Sequence, residues 1–326
     1  MDLPNPDIPL YLQHPFTTGD FTVPTPAIRS IYAEVEMAVA QRYKGMAFEG
    51  PSCHGKTFAS VAIWKQFAAD HAEPTFWFTA RSPKGRTFDR EKALWGNLLG
   101  SFGYPYNGMS AENRAKTVIQ KIRTKCDGAG KDRALLLVDE ANELGEDQLV
   151  FLKQLRNELL TPTLGLPVSL TIVLFGTEKM KSTCNSLLND GEAALYSRFF
   201  MRYQPFPGVR SAPELCEVLN VLDSAAALEQ PLGSGVCTTQ FFFPQAWQNG
   251  WRMEKEAERL WRVMDAHFPQ HRDLDVGMEA VTEVLKAFLK LFAKKDAANF
   301  AGTDESWTAA LKASLFLPLV HNVRSA

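Results

Sequence analysis

A chain of 326 residues with 45% hydrophobic and 22% charged side chains can bury a sizeable core without disulfide or metal staples, which excludes wholesale disorder. Thirty-five Lys and Arg against 37 Asp and Glu leave a formal charge of −2, which excludes a globally basic nucleic-acid coat but not a local basic patch. The five cysteines, Cys53, Cys126, Cys184, Cys216 and Cys237, form no CxxC pair, so no zinc ribbon or redox pair is expected and a reducing cytoplasm fits them.

The first 29 residues hold six prolines, which predicts an extended arm over 1–26. It is either a free tail or a segment that docks on a neighbouring subunit. Its opening, MDLPNPDIPLYLQHPF, has no basic start and no apolar run, so a signal peptide is not expected. From Pro26 the spacing of Ile28, Ile31, Tyr32, Val35 and Val39 predicts a helix. Strands are predicted over 45–50, 75–80, 134–140 and 168–177, with helices over 56–71 and 147–160. The runs ALLLV and VSLTIVLF are continuous rather than alternating, as strands buried on both faces require. Strand and helix in alternation predict an α/β fold, a parallel sheet flanked by helices, over 27–210.

The last third, 211–326, reads as a helical region. Amphipathic patterns cover 213–230, 253–268 and 276–295, and FFFPQAW between the first two is expected to pack in a core or an interface. No run approaches 18 apolar residues, so no membrane span is expected.

Gly50, Pro51, Ser52, Cys53, His54, Gly55, Lys56 and Thr57 match GxxxxGK[ST] between a predicted strand and a predicted helix. Glycines in such a loop let backbone N–H groups wrap phosphate oxygens, and the following helix offers its positive end to the same anion. Lys56 is then placed for the β- and γ-phosphates of ATP and Thr57 for Mg²⁺. His54 reads as a variable loop position. Asp139 and Glu140 close a buried strand at the end where parallel sheets bind ligands. Asp139 suits the metal and Glu140 suits activation of water as a general base. Thr177 ends the next strand, where its hydroxyl either orients that water or serves turn chemistry. Arg198, more than Arg202, is placed to enter a neighbour's site and neutralise transition-state charge. Segment 81–125 holds ten basic and three acidic residues, a net +7, and its loop at Arg81, Lys84 and Arg86 suits contact with phosphate backbones; a solvated basic surface is the plainer reading. Arg114, Lys116, Lys121 and Arg123 form a second basic group in the same segment.

Together, GMAFEGPSCHGKT, LLLVDEANEL, LTIVLFGTEKM and YSRFF resemble an AAA+ ATPase over 27–205, and within that superfamily the TnsC, TniB and MuB regulators of transposition. The resemblance implies an AAA+ P-loop NTPase core with a C-terminal helical lid. It implies an ATP-dependent homo-oligomer, ring or helical filament, on duplex DNA, linking a target-selector protein to a transposase, with hydrolysis as a timer. It matches Gly50, Gly55, Lys56 and Thr57 to the phosphate loop, and Asp139 and Glu140 to the magnesium and water-activating pair. Thr177 matches the first sensor and Arg198 the intersubunit arginine, and the loop at Arg81, Lys84 and Arg86 falls where relatives touch DNA. The lid's second sensor arginine stays open among Arg252, Arg259, Arg262 and Arg272. The alternative is another AAA+ machine, of secretion or replication type; a small-molecule kinase leaves Arg198 and the C-terminal helices unexplained.

Overall fold

Among the described residues five parallel strands form one sheet: β1 (Gly45–Glu49), β2 (Thr75–Thr79), β3 (Arg133–Asp139), β4 (Ser169–Gly176) and β5 (Tyr203–Pro205), in the order β2-β3-β4-β1-β5. The computed structural model describes residues 14–19, 23–81, 87–162, 165–226, 229–231, 233–267 and 274–316, apart from the side chains of 87–89. The apolar runs of β3 and β4 take interior positions, where both faces of a strand are covered. β5 is an edge strand, which tolerates Pro205. Four strands lie where the sequence predicts them. β5 is additional: three residues, Tyr-Gln-Pro, carry no hydrophobic period.

The register aligns the strand ends. Thr79 pairs with Asp139, Val138 with Leu174 and Glu49 with Gly176. The carboxyl ends of β1, β3 and β4 therefore meet at one end of the sheet, the usual place for a ligand in a parallel α/β fold.

The chain divides into two compact units. The α/β unit comprises Ser30–Pro51 and Lys56–Phe206. Its helices bury one stripe each. In the helix Lys56–Asp70 the buried set includes Ala59, Ile63 and Phe67, and in Ala111–Ala129 it includes Val118, Ile122 and Cys126, both spaced by four. Ser110 caps the second of these at its start, accepting from the Asn113 amide at 3.2 Å, and Gly130 ends it in the left-handed region. Leu135, Leu136, Leu137, Leu170, Ile172 and Leu174 are buried on the central strands, each contributing about 1.5–3 kcal/mol by leaving water.

The second unit comprises Met1–Arg29, Ser52–Gly55 and Pro207–Ala326. Its main helices are Ala212–Leu222, Ala257–Ala266, Met278–Phe292 and Asp304–Ala313. The first is shorter than the predicted 213–230, because Asp223 turns to accept the backbone N–H groups of Met253 (3.1 Å) and Glu254 (2.9 Å). The helix Asp304–Ala313, capped by Thr303, is additional to the prediction. FFFPQAW packs inside this unit. Phe243 stacks on Phe300 at 4.7 Å and meets Trp251 edge-on at 5.1 Å, and Phe288 stacks on Trp307 at 3.8 Å. The buried Glu256 carboxylate accepts from Trp251 Nε1 (2.8 Å), Trp307 Nε1 (3.1 Å), the Gly302 amide (3.1 Å) and Arg259 (2.6 Å), so this charge is fully satisfied. What is described of the N-terminal arm belongs to the same core: Phe16 and Val23 are buried in it, and His14 lies against Phe241 and Phe242. Among the described residues no helix is long and apolar enough to cross a membrane.

Candidate functional site

The segment after β1 leads directly into the helix Lys56–Asp70. Gly50 permits close approach: a Cβ there would lie 2.6 Å from the Phe206 carbonyl. Cys53 (φ 67) and Gly55 (φ 93) are both left-handed, a conformation that costs the cysteine energy and the glycine little. Lys56 Nζ donates to the carbonyls of Gly50 (2.8 Å) and Pro51 (2.6 Å), so its ammonium is folded back over the start of the loop.

Thr57 follows, and its hydroxyl donates to Asp139 Oδ2 at 2.9 Å. This bond joins two motifs 82 residues apart in sequence. Asp139 is 2% exposed, and burial, assisted by the neighbouring Glu140 charge, raises its pKa despite the Thr57 hydrogen bond and Lys56. A buried carboxylate with raised pKa beside a hydroxyl is a site that gains from a cation. Among the described residues no group of three or more His, Cys, Asp or Glu side chains could hold a metal ion. One carboxylate and one hydroxyl do fit Mg²⁺, which keeps waters and takes its remaining ligands from substrate phosphates.

Glu140 has φ 52, and a short 3₁₀ turn, Ala141–Glu143, follows it. Thr177 follows β4. Its backbone N–H donates to Asn142 Oδ1 at 2.9 Å, and its hydroxyl is buried with no hydrogen-bond partner among the described residues. The α/β unit thus brings Gly50, Pro51, Lys56, Thr57, Asp139, Glu140 and Thr177 to the carboxyl ends of three adjacent strands. Asn142 lies inside LLLVDEANEL, where the sequence gives it no role of its own; its place two positions beyond Glu140 is the signal for it.

In the second unit, Ser52–Gly55 meet the start of the helix Met278–Phe292. The Cys53 carbonyl accepts the Glu279 amide at 3.2 Å, and His54 Nδ1 lies 3.9 Å from Asp275. His54 is buried, so this side chain has a place in the packing of that unit.

Arg198 lies at the opposite end of the strands. A Cβ on Gly45, the first residue of β1, would be 2.7 Å from the Arg198 carbonyl. The guanidinium donates to the Ala194 carbonyl at 2.8 Å, its Nε is buried without a partner among the described residues, and Arg156 is close enough that, after burial, the like charge of Arg198 lowers its pKa. Arg202 instead covers the Tyr43 ring at 4.0 Å.

Of the residues expected on DNA, Arg81 is exposed directly after β2, while Lys84 and Arg86 lie outside the described residues. The second basic group is largely structural. Arg114 is 8% exposed, stacks on Tyr106 and donates to the Lys92 carbonyl at 2.7 Å. Arg123 is 6% exposed and holds the carbonyls of Glu158, Thr161 and Leu166, closing the end of the helix Glu146–Leu160. Lys116 pairs with Glu112, and Lys121 lies over Tyr104. The charge of 81–125 is thus partly consumed in packing. In the second unit, Arg252 stacks on Trp247, Arg259 pairs with Glu256 and Asp304, Arg262 pairs with Asp304, and Arg272 lies outside the described residues.

No protein-family model matches this chain, and no curated protein matches it in sequence. Solved structures do match. The Aeropyrum pernix ORC2 protein in its ADP form gives a TM-score of 0.57 at 11% identity, covering 91% of this chain and 70% of that one. The same protein in ADPNP–ADP complexes gives 0.55 at 11% identity, covering 88% of this chain and 66% of that one. The chain spans about two thirds of the length of that protein. At this identity the likeness carries the architecture alone: a five-stranded parallel sheet flanked by helices, shared with the ORC2 structures.

Proposed function

We propose that the chain is an AAA+ ATPase whose nucleotide state switches its assembly on duplex DNA. The observation that carries this reading is the Thr57–Asp139 hydrogen bond, which joins the phosphate loop to the buried strand end with Lys56 at the same loop. The motif's backbone N–H groups would take the phosphate oxygens of ATP, and Lys56 would exchange the Gly50 and Pro51 carbonyls for phosphate. Thr57 and Asp139 would hold Mg²⁺, which would supply positive charge to the phosphate oxygens. Glu140 would take the proton of the attacking water, and the Thr177 hydroxyl would hold that water or a phosphate oxygen. Arg198, far from its own phosphate loop, would complete the site of the next protomer in a head-to-tail assembly. The nucleotides in the ORC2 structures support the choice of ligand.

Within this reading, we assign the protein to regulation of transposition, as an ATP-dependent link between target DNA and transposase. The motif set GPSCHGKT, VDEAN, FGTEKM and YSRFF supports that assignment. The ORC-type architecture favours a second reading, a replication-type AAA+ protein. Electron microscopy with duplex DNA, with and without a slowly hydrolysed ATP analogue, tests the shared claim. Rings or filaments on DNA only with nucleotide are expected. No DNA association under any nucleotide condition would contradict it. Co-purification of the protein with a transposase separates the transposition reading from the replication reading.

A further inference from the structure

Between β3 and the helix Glu146–Leu160 the chain makes one tight turn. It begins with Glu140 in the left-handed region and closes with the Glu143 amide on the Glu140 carbonyl (2.8 Å) and the Leu144 amide on the Ala141 carbonyl (3.1 Å). Such a turn has little freedom, so a side chain on it holds a fixed place relative to Glu140. Asn142 uses that place to reach the next strand. Its Oδ1 accepts the Thr177 backbone N–H at 2.9 Å, and its Nδ2 donates to Glu143 Oε1 at 3.3 Å. The approach is close: a Cβ on Gly176 would lie 3.0 Å from the Asn142 amide nitrogen and 2.9 Å from Met180 Cγ. Glycine at 176 is what lets the turn and the strand end meet.

The pairing leaves the Thr177 hydroxyl apart. Its backbone N–H is taken by Asn142, and its buried Oγ1 has no partner among the described residues. A buried unpaired hydroxyl is costly unless something supplies the missing bond.

We propose that Asn142 is a positioning residue that locks the turn carrying Glu140 to the strand end carrying Thr177, so that carboxylate and hydroxyl act on one water as a single rigid unit. This rests on the ATPase reading above. Asn142 makes no contact with nucleotide in this scheme; it fixes the two groups that do. Misplacement of a reacting group by about 1 Å costs on the order of a hundredfold in rate.

The test measures phosphate release at saturating Mg-ATP and the Kd of a fluorescent ATP analogue. Its variants are Asn142→Ala, Asn142→Asp, Thr177→Ala and the Asn142→Ala/Thr177→Ala double. Asn142→Ala should lower kcat by about tenfold to a hundredfold with analogue affinity held within about threefold. Asn142→Asp keeps an acceptor oxygen and should recover most of that loss. The double variant should be no slower than the slower single, because both changes break one unit. An Asn142→Ala rate equal to wild type overturns the proposal. So do losses that multiply in the double variant, or a fall in analogue affinity matching the fall in kcat. If Asn142→Ala does not fold, an Asn142→Asp rate as low as that of Thr177→Ala overturns it, and a rate near wild type supports it. A wild-type protein that hydrolyses no ATP removes the ATPase reading itself, and this inference with it. Hydrolysis by wild type with no effect of Asn142 removes this inference alone.

Discussion

Arg198 gives the sharpest prediction because the fold puts it at the wrong end of its own sheet. Its carbonyl packs against Gly45 at the start of β1, while the phosphate loop begins at Gly50, past the other end. Five residues of strand at about 3.3 Å each separate the two by about 16 Å. That is further than an arginine side chain reaches. If Arg198 contributes to hydrolysis, it does so in a neighbour. Arg198→Ala should then lower kcat by about a thousandfold or more, roughly 4 kcal/mol of transition-state stabilisation. Glu140→Gln should be equally inactive by loss of the base. Mixing the two inactive proteins restores sites where an Arg198→Ala protomer supplies Glu140 and its Glu140→Gln neighbour supplies Arg198. In random head-to-tail assembly about one quarter of the interfaces have that composition, so an equimolar mixture should reach about one quarter of the wild-type rate. Phosphate release against mixing ratio measures this, peaking at equal amounts. A mixture no faster than its components, or a wild-type rate per protomer that does not change on dilution, refutes action in trans.

Other consequences concern stability and binding. Asp139 is a carboxylate whose pKa burial raises, so its charge opposes folding of the nucleotide-free protein. Asp139→Asn should therefore raise the apo Tm by a few degrees while removing Mg²⁺-dependent ATP binding; thermal scans with and without Mg-ATP check it, and a lower apo Tm contradicts it. His14 is fully buried, and burial pulls its pKa from 6.5 to about 4. The unfolded chain takes up this proton first, so the contribution is complete above about pH 6.5 and is lost as pH falls through 4, to about 3 kcal/mol at most. Urea unfolding at several pH values should show this slope, and His14→Phe should flatten it; an unchanged slope places the effect elsewhere. If Arg81 meets a DNA phosphate, Arg81→Ala should make the slope of log K against log salt shallower by about one unit, equally on unrelated duplexes. An unchanged slope moves the DNA surface away from β2.

The sequence carries the centre of the fold well and its margins poorly. β3 and β4 announce themselves because a strand covered on both faces must be apolar throughout, and Asp139 stands out as the charge that ends such a run. The phosphate loop is legible because Gly50, Gly55, Lys56 and Thr57 stand at fixed spacing, and the φ of 93 at Gly55 is one that favours glycine; the φ of 67 at Cys53 leaves no such trace. β5 is not legible: it is three residues long, and what holds it, backbone pairing to β1 with the Tyr203 hydroxyl on Glu49 and Gln204 on Glu34, depends on elements distant in sequence. Packing also hides in charge. Arg114 and Arg123 look like solvent-facing cations in a basic segment, yet they bury their guanidinium groups on backbone carbonyls, a use that depends on elements distant in sequence. His14 and Phe16 lie in a proline-rich stretch that reads as an extended arm, free or docked on a neighbouring subunit, and only the aromatic surface of Phe241 and Phe242 reveals their place. Asn142 is silent for a similar reason: its role depends on β3 and β4 being neighbours.

The central claim is that one site, built from the phosphate loop and the end of β3, both binds and hydrolyses ATP. Titration of a fluorescent ATP analogue alongside phosphate release, on wild type, Lys56→Ala and Glu140→Gln, tests it most directly. The account predicts binding and turnover in wild type, neither in Lys56→Ala, and binding without turnover in Glu140→Gln. Turnover that survives in both variants would contradict it.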